Sequence, residues 1–276
     1  MGTKNEKISL DGFEPKRKKI KSILQKGLLI MDTKFSKLLL SHLSIEDLYG
    51  KSIKDKRGGN DNIHSWDIEL KGPLSKEQAV LLNKLFKERR KKHCAEQIGI
   101  EWMDGMTLTL EQISSFHSSR NLKEMLDDLV KKGYLKFEHP KSLVTEQTLL
   151  GTKTYRAENK SLRPGYNIVS GKLSFEINKI LNPNGIAPTL VATDMARLVV
   201  PDGKGIRRMT LREGLRLFGY PEWFEMPVTV DEGFDLLGNT VAVKVVSAIA
   251  ERLAESYESN YDNNMNTLKS RELISF

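Results

Sequence analysis

Apolar residues recur at helical spacing in the middle of the chain. From Ser75 onward one stripe of a helix is apolar, and its apolar positions are Leu81, Leu82, Leu85 and Phe86. The charged residues 88–92 fall on the opposite side, and we interpret them as a solvated helix face rather than as a phosphate contact. A second, short helix is predicted in TLEQISSF, because Thr109 and Gln112 have the spacing of a capping box.

A third helix and then a strand are predicted in NLKEMLDDLVKKGYLKF. The apolar positions of this helix are Leu122, Met125, Leu126 and Leu129. Gly133 ends the helix before the strand-like YLKF. Three helices followed by a strand are typical of a winged-helix fold, so a winged-helix-like block is predicted here.

Before these helices the pattern favours a loop and a strand. The pair Gly58 and Gly59 within an Asn/Asp-rich stretch predicts the loop. The alternation of Ile63, Trp66 and Ile68 predicts a strand after it.

After the third helix the chain becomes strand-like again. The apolar pattern fades over residues 145–163, which indicates a loop or variable connector. From Tyr166 onward, strands are predicted in YNIV, LSFEI, APTLVA and RLVV, with turns at Gly171, NPNG and PDGKG between them. Residues 259–276 have little to bury and are predicted to form a flexible tail.

The segment RRMTLREGLRLFGYPEW contains a helix with both ends marked. Thr210 and Glu213 form a capping box, so the helix is predicted to begin at Leu211. Gly219 ends it, and a proline follows. Its predicted buried stripe is Leu211, Leu215 and Phe218, with Arg212 and Arg216 on the neighbouring face.

The segment DLLGNTVAVKVVSAIAERL pairs a Gly-Asn loop with a further helix. Gly238 permits close approach of the backbone to a ligand or neighbour, and Asn239 or Thr240 can cap the helix. Apolar residues recur every four positions along this helix and form a ridge: Val241, Val245, Ile249 and Leu253.

Charge and cysteine content narrow the function classes. The 276 residues include 44 Lys and Arg against 36 Asp and Glu, a net charge of +8 that favours a polyanionic partner such as nucleic acid. The single cysteine, Cys94, rules out an internal disulfide and a cysteine-based zinc cluster. No secretory signal or membrane span is recognised, so we expect a cytoplasmic protein of a bacterial or archaeal cell.

Together these segments resemble the late part of the DNA cytosine-5 methyltransferases. RRMTLREGLRLFGYP is similar to the ninth motif of that family, and LLGNTVAV is similar to its tenth. GIAPTLVATD resembles the Thr-Leu signature that ends the target-recognition region. The order and spacing of the three signatures also agree with the family.

The family's catalytic motifs are not found in the sequence. Its chemistry needs a Pro-Cys nucleophile, a Glu-Asn-Val carboxylate and a Gly-rich loop that binds S-adenosylmethionine. Cys94 lies in a helical pattern and is expected to be an inert core residue, and AENK at residues 157–160 does not match Glu-Asn-Val. The resemblance therefore implies one subunit of a two-chain enzyme, whose partner carries motifs I to VIII.

The resemblance also implies roles for particular residues. Gly238, Asn239, Thr240 and Val241 are expected to complete the S-adenosylmethionine pocket through backbone groups. Buried charge pairs are expected to stabilise the interface with the catalytic domain, through Arg212, Glu213 and Arg216. No metal is expected.

Double-stranded DNA is the expected partner. Arginine is suited to bidentate recognition of guanine, and loops between short strands can enter the major groove. The expected DNA-binding residues are Arg57, Gly58, Gly59, His64, Thr189, Leu190, Arg197, Arg207 and Arg208. Trp66 fits a core position better than a stacking contact with DNA, and His64 fits a satisfied polar residue better than a ligand.

The predicted fold class is α+β. A small recognition domain of short strands and helices is expected, with a final helix that packs on a partner's catalytic α/β domain. The predicted divisions are a basic segment (1–72), a winged-helix-like block (73–145), a strand-rich region (146–232), the tenth-motif loop and helix (233–258), and the tail (259–276).

Two other functions remain open on the sequence alone. A winged-helix DNA-binding regulator would explain the charge and the helical block, but not the late motifs. A truncated, inactive methyltransferase fragment would explain the motifs, although the intact capping box and uninterrupted ridge argue against decay.

Overall fold

The computed structural model describes residues 17–55, 61–148, 151–169, 175–190 and 192–272. The chain divides into two compact units. The central unit comprises residues 32–178, and the discontinuous unit comprises residues 1–31 together with residues 179–276. This division differs from the five predicted segments because the first residues of the chain join the last third, which no local pattern indicates.

The central unit contains helices, short strands and one longer hairpin. Its helices are α1 (Lys34–His42), α2 (Lys76–Glu88), α3 (Lys92–Glu96), α4 (Leu110–Ser114) and α5 (Leu122–Lys131). Its strands are β1 (Ser52–Ile53), β2 (Asn62–Ile63), β3 (Leu135–Glu138), β4 (Lys141–Thr148), β5 (Gly151–Glu158) and β6 (Gly165–Ile168). The strands pair as β1 with β2 in parallel, and as β3 with β6 and β4 with β5 in antiparallel fashion.

The predicted helices of this unit are confirmed, together with their starts. Capping boxes begin α2 at Ser75 and Gln78, and α4 at Thr109 and Gln112. The predicted stripe is fully buried in one apolar core with the inner faces of α4 and α5; its largest members are Trp66, Leu81, Leu82, Leu85, Phe86, Leu108, Leu126, Leu129, Tyr134 and Tyr166. The winged-helix assignment of these elements stays a prediction.

Three predictions for the central unit are wrong. The strand expected in LSFEI is absent from its described residues, 175–177. Residues 145–163, expected to be a loop, contain most of the β4–β5 hairpin. Its threonine-rich strands have high β-propensity but no apolar alternation, so the apolar pattern did not reveal them. The strand expected through Ile63, Trp66 and Ile68 stops at Ile63, because the carboxylate of Asp67 accepts the backbone N–H of His64 at 2.8 Å and closes a turn.

The discontinuous unit begins with a 3-10 helix at Ile20–Ser22. It continues with β7 (Lys179–Ile180), α6 (Ala192–Met195), β8 (Leu198–Asp202), β9 (Gly205–Arg208), α7 (Leu211–Phe218), α8 (Val230–Gly238) and α9 (Val243–Glu272). Strand β7 is parallel to β8, which is antiparallel to β9 across the PDGKG turn. The buried core consists of Ile20, Leu181, Met195, Leu198, Val200, Met209, Leu215, Phe234 and Leu237.

Most signals in this unit were correctly interpreted, and three were not. The RLVV strand is present as β8, and α7 begins and ends as predicted. APTLVA is not a strand, since Pro188 cannot donate a ladder hydrogen bond, and its last residue starts α6. Helix α8 was not predicted. The predicted flexible tail belongs instead to α9 as far as Glu272, because residues 243–272 contain no glycine or proline to break a helix.

We expect Gly165→Ala to destabilise the central unit. A Cβ on Gly165 would lie 2.2 Å from the carbonyl oxygen of Leu108 and 2.9 Å from the nitrogen of Thr109. Both are backbone atoms, fixed by the Leu108–Tyr166 bridge, so the loss in free energy of unfolding should be at least about 1–3 kcal/mol. Urea unfolding measures it. Gly185→Ala is the control because its Cβ would find ordinary contacts at 3.4 Å or more; equal effects would contradict the prediction.

Candidate functional site

A buried ion pair lies at the centre of the discontinuous unit. Arg207 is 2% exposed and Glu213 is 0% exposed. The guanidinium donates Nη1–H to Oε2 of Glu213 at 2.9 Å and Nη2–H to Oε1 at 2.7 Å, which is a bidentate geometry. Strand β9 supplies the arginine, and the capping position of α7 supplies the glutamate.

Every donor of Arg207 has a partner. Its Nε–H bonds Asp202 at 2.8 Å, and its remaining N–H groups bond the carbonyl oxygens of Gln25 at 2.8 Å and Arg208 at 3.1 Å. A guanidinium has five N–H groups, and all are used. The hydrogen bond to Glu213, together with that to Asp202, outweighs burial and raises the pKa of Arg207. The prediction that Arg207 reads guanine is therefore wrong, because this side chain is buried and saturated.

Glu213 is equally well satisfied. Burial by itself would raise the pKa of this carboxyl, but hydrogen bonds from Arg207 and from the backbone N–H groups of Thr210 and Gln25 outweigh burial, and the pKa lies below its usual value. The bond from Gln25 is 2.6 Å long. The side chain of Gln25 also accepts a hydrogen bond from the Thr210 hydroxyl at 2.8 Å. Sequence reasoning missed Gln25 and Asp202, since neither carries a local signal for this role.

Two glycines allow α7 and α8 to pack closely. A Cβ on Gly214 would lie 2.8 Å from a methyl carbon of Leu237, and a Cβ on Gly233 would lie 2.6 Å from a methyl carbon of Leu211. Each helix thus inserts a leucine side chain against the bare backbone of the other. Leu237 directly precedes Gly238, so this contact fixes the end of α8 relative to α7.

Residues 238–241, which we call the link, connect α8 to α9. Gly238 is the last residue of α8, Asn239 caps its C-terminal end, and Val241 is 56% exposed. The backbone N–H groups of Asn239 and Thr240 donate to Leu236 and Leu237 at 3.1 and 3.2 Å. The link is accessible and hydrogen-bonded to the end of α8, and the Thr240 hydroxyl makes only a long contact of 3.5 Å with the Val241 carbonyl oxygen.

An apolar face continues from the link along α9. Its members, which we call the open apolar face, are Val241 at 56%, Val246 at 52%, Ile249 at 39%, Leu253 at 49% and Tyr257 at 75% exposure. The predicted ridge is thus largely exposed, although its member Val245 is half-buried. Among the residues whose side chains are described, nothing covers this face, and exposed apolar patches of this kind mark interaction sites.

The other residues predicted at a domain interface have partners within the discontinuous unit. Arg212 donates to the carbonyl oxygen of Phe224 at 2.9 Å. Arg216 forms a bidentate pair with Glu222, at 2.7 and 2.9 Å, and the hydrogen bonds of this pair raise the pKa of Arg216 and lower that of Glu222. Their role toward a catalytic domain stays a prediction.

The predicted DNA-binding residues are placed differently from one another. Thr189 and Arg208 are exposed and Arg197 is half-exposed, while Leu190 packs against the core of the discontinuous unit. Arg208 donates to the carbonyl oxygen of Ala196 at 2.6 Å, next to Arg197 in the chain. Arg197 therefore lies just before β8, and Arg208 lies at the end of β9.

His64 and Trp66 are structural residues. His64 is 7% exposed and stacks on Trp66 with ring centroids 4.4 Å apart, and its Nδ1 lies 3.1 Å from Asp67. Trp66 is 2% exposed and donates its indole N–H to Asn83 at 3.1 Å. The core position predicted for Trp66 is confirmed, whereas Nε2 of His64 is buried without a hydrogen-bond partner among the described residues. The burial of His64 is not compatible with the predicted DNA-binding role. Arg57, Gly58 and Gly59 lie outside the described residues.

Cys94 has the surroundings of an inert thiol. It is 3% exposed, and burial, followed by the charge of Glu88, raises its pKa. His93 Nε2 lies 3.4 Å from Sγ, but a nucleophilic cysteine needs a lowered pKa and access to its substrate. Cys94 therefore packs in the core of the central unit.

Across the described residues, no single helix is both long and apolar enough to cross a membrane. One pair, Val230–Gly238 with Val243–Tyr257, reaches the required length and composition only when joined across a bend of 42°.

Comparisons with known proteins define the family. The model of C-5 cytosine-specific DNA methylases matches residues 76–255. Type II methyltransferase M.NlaIV of Neisseria lactamica is 55% identical over 235 residues, and M.NgoBV of Neisseria gonorrhoeae is 54% identical over 235 residues; each alignment covers 85% of this chain and 54% of the relative. M.BanI of Aneurinibacillus aneurinilyticus is 35% identical over 273 residues, covering 96% of this chain and 54% of that protein.

The chain belongs to the C-5 cytosine-specific DNA methylase family. It spans about half the length of the relatives that it matches.

We expect Glu213→Gln to be strongly destabilising. The substitution leaves Asp202 as the remaining carboxylate partner of the buried Arg207 guanidinium, and removing one partner of a buried ion pair typically costs about 3–5 kcal/mol. Urea unfolding followed by circular dichroism measures the loss. Glu222→Gln is the matched control, because it breaks a second bidentate Arg–Glu pair that is open to solvent. The control should lose much less, and similar losses in the two variants would contradict a special role for the buried pair.

The same pair predicts how stability depends on pH. The pKa of Glu213 is lower in the folded chain than its ordinary value of 4.5. Its contribution is therefore complete above about pH 4.5 and is lost as the pH falls through the folded-state value. Urea midpoints of the parent and of Glu213→Gln, measured from pH 7 to pH 3, should converge below about pH 4.5. A constant difference over this range would contradict the assignment.

Proposed function

We propose that this chain is the DNA-recognition subunit of a two-chain cytosine-5 DNA methyltransferase of a type II restriction-modification system. It selects the target site and completes the S-adenosylmethionine pocket, while the catalytic cysteine lies on a second polypeptide. The single observation that carries this proposal is the open apolar face of α9, which is continuous with the link at residues 238–241.

The open apolar face supports a catalytic partner domain. Ile249 and Leu253 project with Val246 from one side of α9, and all three are at least 39% exposed. A soluble chain that leaves such a row uncovered is suited to bury it against another apolar surface. The first residue of the face, Val241, also belongs to the link, so a domain docked on this face would bring its own residues next to the link.

Only a few groups of the link are proposed to contact the cofactor. The N–H groups of Asn239 and Thr240 donate within the end of α8, so they are not offered to a ligand. The Thr240 hydroxyl, whose contact is long, and the exposed residue Val241 are the proposed contacts. S-adenosylmethionine would supply the methyl group. The proposed role of this chain is to position one wall of that pocket. The close packing of α7 on α8 would hold this wall in place.

The catalytic cysteine is assigned to another polypeptide because Cys94 does not fit the role. It is the single cysteine of the sequence, and its thiol is buried with a raised pKa. A thiolate that attacks a flipped base must be reachable from solvent and ionised near neutral pH.

Contacts with DNA are proposed for the discontinuous unit at Arg197, Arg208 and Thr189. Arg197 and Arg208 add positive charge near one end of the β8–β9 pair, and the net charge of +8 favours association with a polyanion. The loop at Arg57, Gly58 and Gly59 stays in the proposed set from the sequence.

Transfer of a labelled methyl group tests the proposal. This chain, the product of the neighbouring reading frame, and their mixture would each be incubated with labelled S-adenosylmethionine and mixed-sequence duplex DNA. We expect label in the DNA only with the mixture. Cys94→Ala in this chain should leave the rate of the mixture within about twofold, since its thiol is a core residue.

The other outcomes separate the alternatives. Methyl transfer by this chain alone, abolished by Cys94→Ala, would contradict the two-chain proposal. A folded chain that binds DNA but yields no transfer in the mixture would favour a winged-helix regulator. A chain that aggregates alone and with the second product would favour a truncated fragment.

A further inference from the structure

The β4–β5 hairpin is a free-standing two-stranded ribbon. Its strands are eight residues long and pair with each other from Lys141–Glu158 to Thr148–Gly151. Within the described residues, neither strand belongs to any other sheet. At about 3.4 Å per residue the ribbon extends for roughly 27 Å.

The ribbon is attached only near its base. Arg156 donates to the carbonyl oxygens of Glu101 and Trp102 at 3.3 and 3.1 Å. Asn159 bonds the hydroxyl of Ser142 at 3.0 Å and the carbonyl oxygen of Pro140 at 2.8 Å. Beyond these contacts, residues 145–148 and 151–155 of the ribbon are all exposed.

The two faces of the ribbon differ in chemistry. On one face Glu146 pairs with the hydroxyl of Tyr155, and Lys153 lies over the Tyr155 ring at 5.9 Å, so its charges are used within the ribbon. The outer half of the other face, which we call the Thr/Gln face, consists of Thr145, Gln147, Thr152 and Thr154, all exposed and uncharged. Nearer the base, the same side of the ribbon carries Lys141, Leu143, Arg156 and Glu158.

The side chains of the Thr/Gln face can form hydrogen bonds with a partner. Its internal bonds are long, at 3.4 Å between the hydroxyls of Thr145 and Thr154 and 3.3 Å from Thr152 to Gln147. Bonds of this length in water contribute little, so they can be exchanged for bonds to a partner. Glutamine is suited to adenine, and the hydroxyl and methyl of threonine suit either a base edge or the thymine methyl.

The charges around the ribbon match a polyanion. Residues 136–163 carry more cations than carboxylates; the cations are Lys136, Lys141, Lys153, Arg156, Lys160 and Arg163, and the carboxylates are Glu138, Glu146 and Glu158. Lys136, Arg156 and Arg163 form ion pairs with Glu138, Glu101 and Glu111, so Lys141, Lys153 and Lys160 are the cations proposed to face phosphates. In a DNA-binding protein, cations contact the phosphates and position the protein, while neutral hydrogen-bonding side chains contact the base edges. A protein-binding face would instead be expected to present large aromatic or aliphatic anchors.

We propose that this ribbon enters the major groove of DNA and reads base edges with its Thr/Gln face. The major groove is about 12 Å wide and admits a two-stranded ribbon. This inference rests on the proposed DNA-recognition function and names an element, in the central unit, that none of the sequence-predicted contacts includes.

Selection from random DNA tests the ribbon. The full chain, with and without the neighbouring-frame product, would be used to enrich duplexes from a pool with a randomised centre. The affinity for the enriched duplex would then be compared with that for a scrambled duplex. Gln147→Ala/Thr152→Ala should reduce this preference by about five- to hundredfold, since each lost base contact is worth this order. Binding to the scrambled duplex should change by less than about twofold, because no cation is removed.

A matched double variant on the opposite face is the control. Glu146→Gln/Lys153→Gln removes one charge of each sign from the same strands and should leave the preference intact. Circular dichroism spectra and Tm values equal to those of the parent show that each variant is folded.

The remaining outcomes distinguish the ribbon from the proposed function. If the parent prefers a sequence and the Thr/Gln-face variant keeps that preference, the ribbon inference is wrong and DNA recognition stands. If the parent binds duplexes without preference, base reading by the ribbon is wrong. If the parent binds no duplex, with or without the second product, both the ribbon inference and the proposed DNA-recognition function are wrong. A further outcome would assign the ribbon to a protein partner instead. In that case the parent self-associates, Leu143→Thr makes it monomeric, and the Thr/Gln-face variant keeps the DNA preference of the parent.

Discussion

The bidentate pair of Arg207 and Glu213 is the constraint on which the discontinuous unit depends. Taking two charges out of water is costly, and such a pair is tolerated only when every remaining donor and acceptor is bonded. Here Asp202 and Gln25 complete the shell. The pair therefore joins the N-terminal segment, the β8–β9 hairpin and the start of α7 around one point. Loss of either Arg207 or Glu213 would leave the other charge buried without its bidentate partner.

The position of the link follows from this centre in three steps. The carboxylate of Glu213 fixes the first turn of α7, and the bare backbone of Gly214 receives Leu237 from α8. The end of α8 then determines where residues 238–241 lie and in which direction α9 leaves them. The buried ion pair thus positions both the link and the start of the open apolar face.

The sequence predicted what is local and missed what is not. Capping boxes such as Thr210 with Glu213 have a fixed spacing, and the start of α7 followed from it. Gln25 lies 188 residues from its carboxylate partner and has no spacing to detect. Arg207 was predicted to contact DNA because arginine is suited to reading guanine, and no local pattern indicated that its side chain is buried. The strands of the ribbon were not predicted because their polar residues show no apolar periodicity, although threonine has a high β-propensity.

The discontinuity of this unit has a consequence for the order of folding during synthesis. The central unit is complete once residue 178 has left the ribosome, whereas residues 17–31 emerge first and must wait for Glu213. Closing so long a loop carries an entropic cost that grows only slowly with its length, and the folded central unit shortens the effective span. Until then Gln25 and Ile20 remain without their native partners. A polypeptide arrested before α7 would therefore contain one folded unit preceded by a segment open to proteases and chaperones.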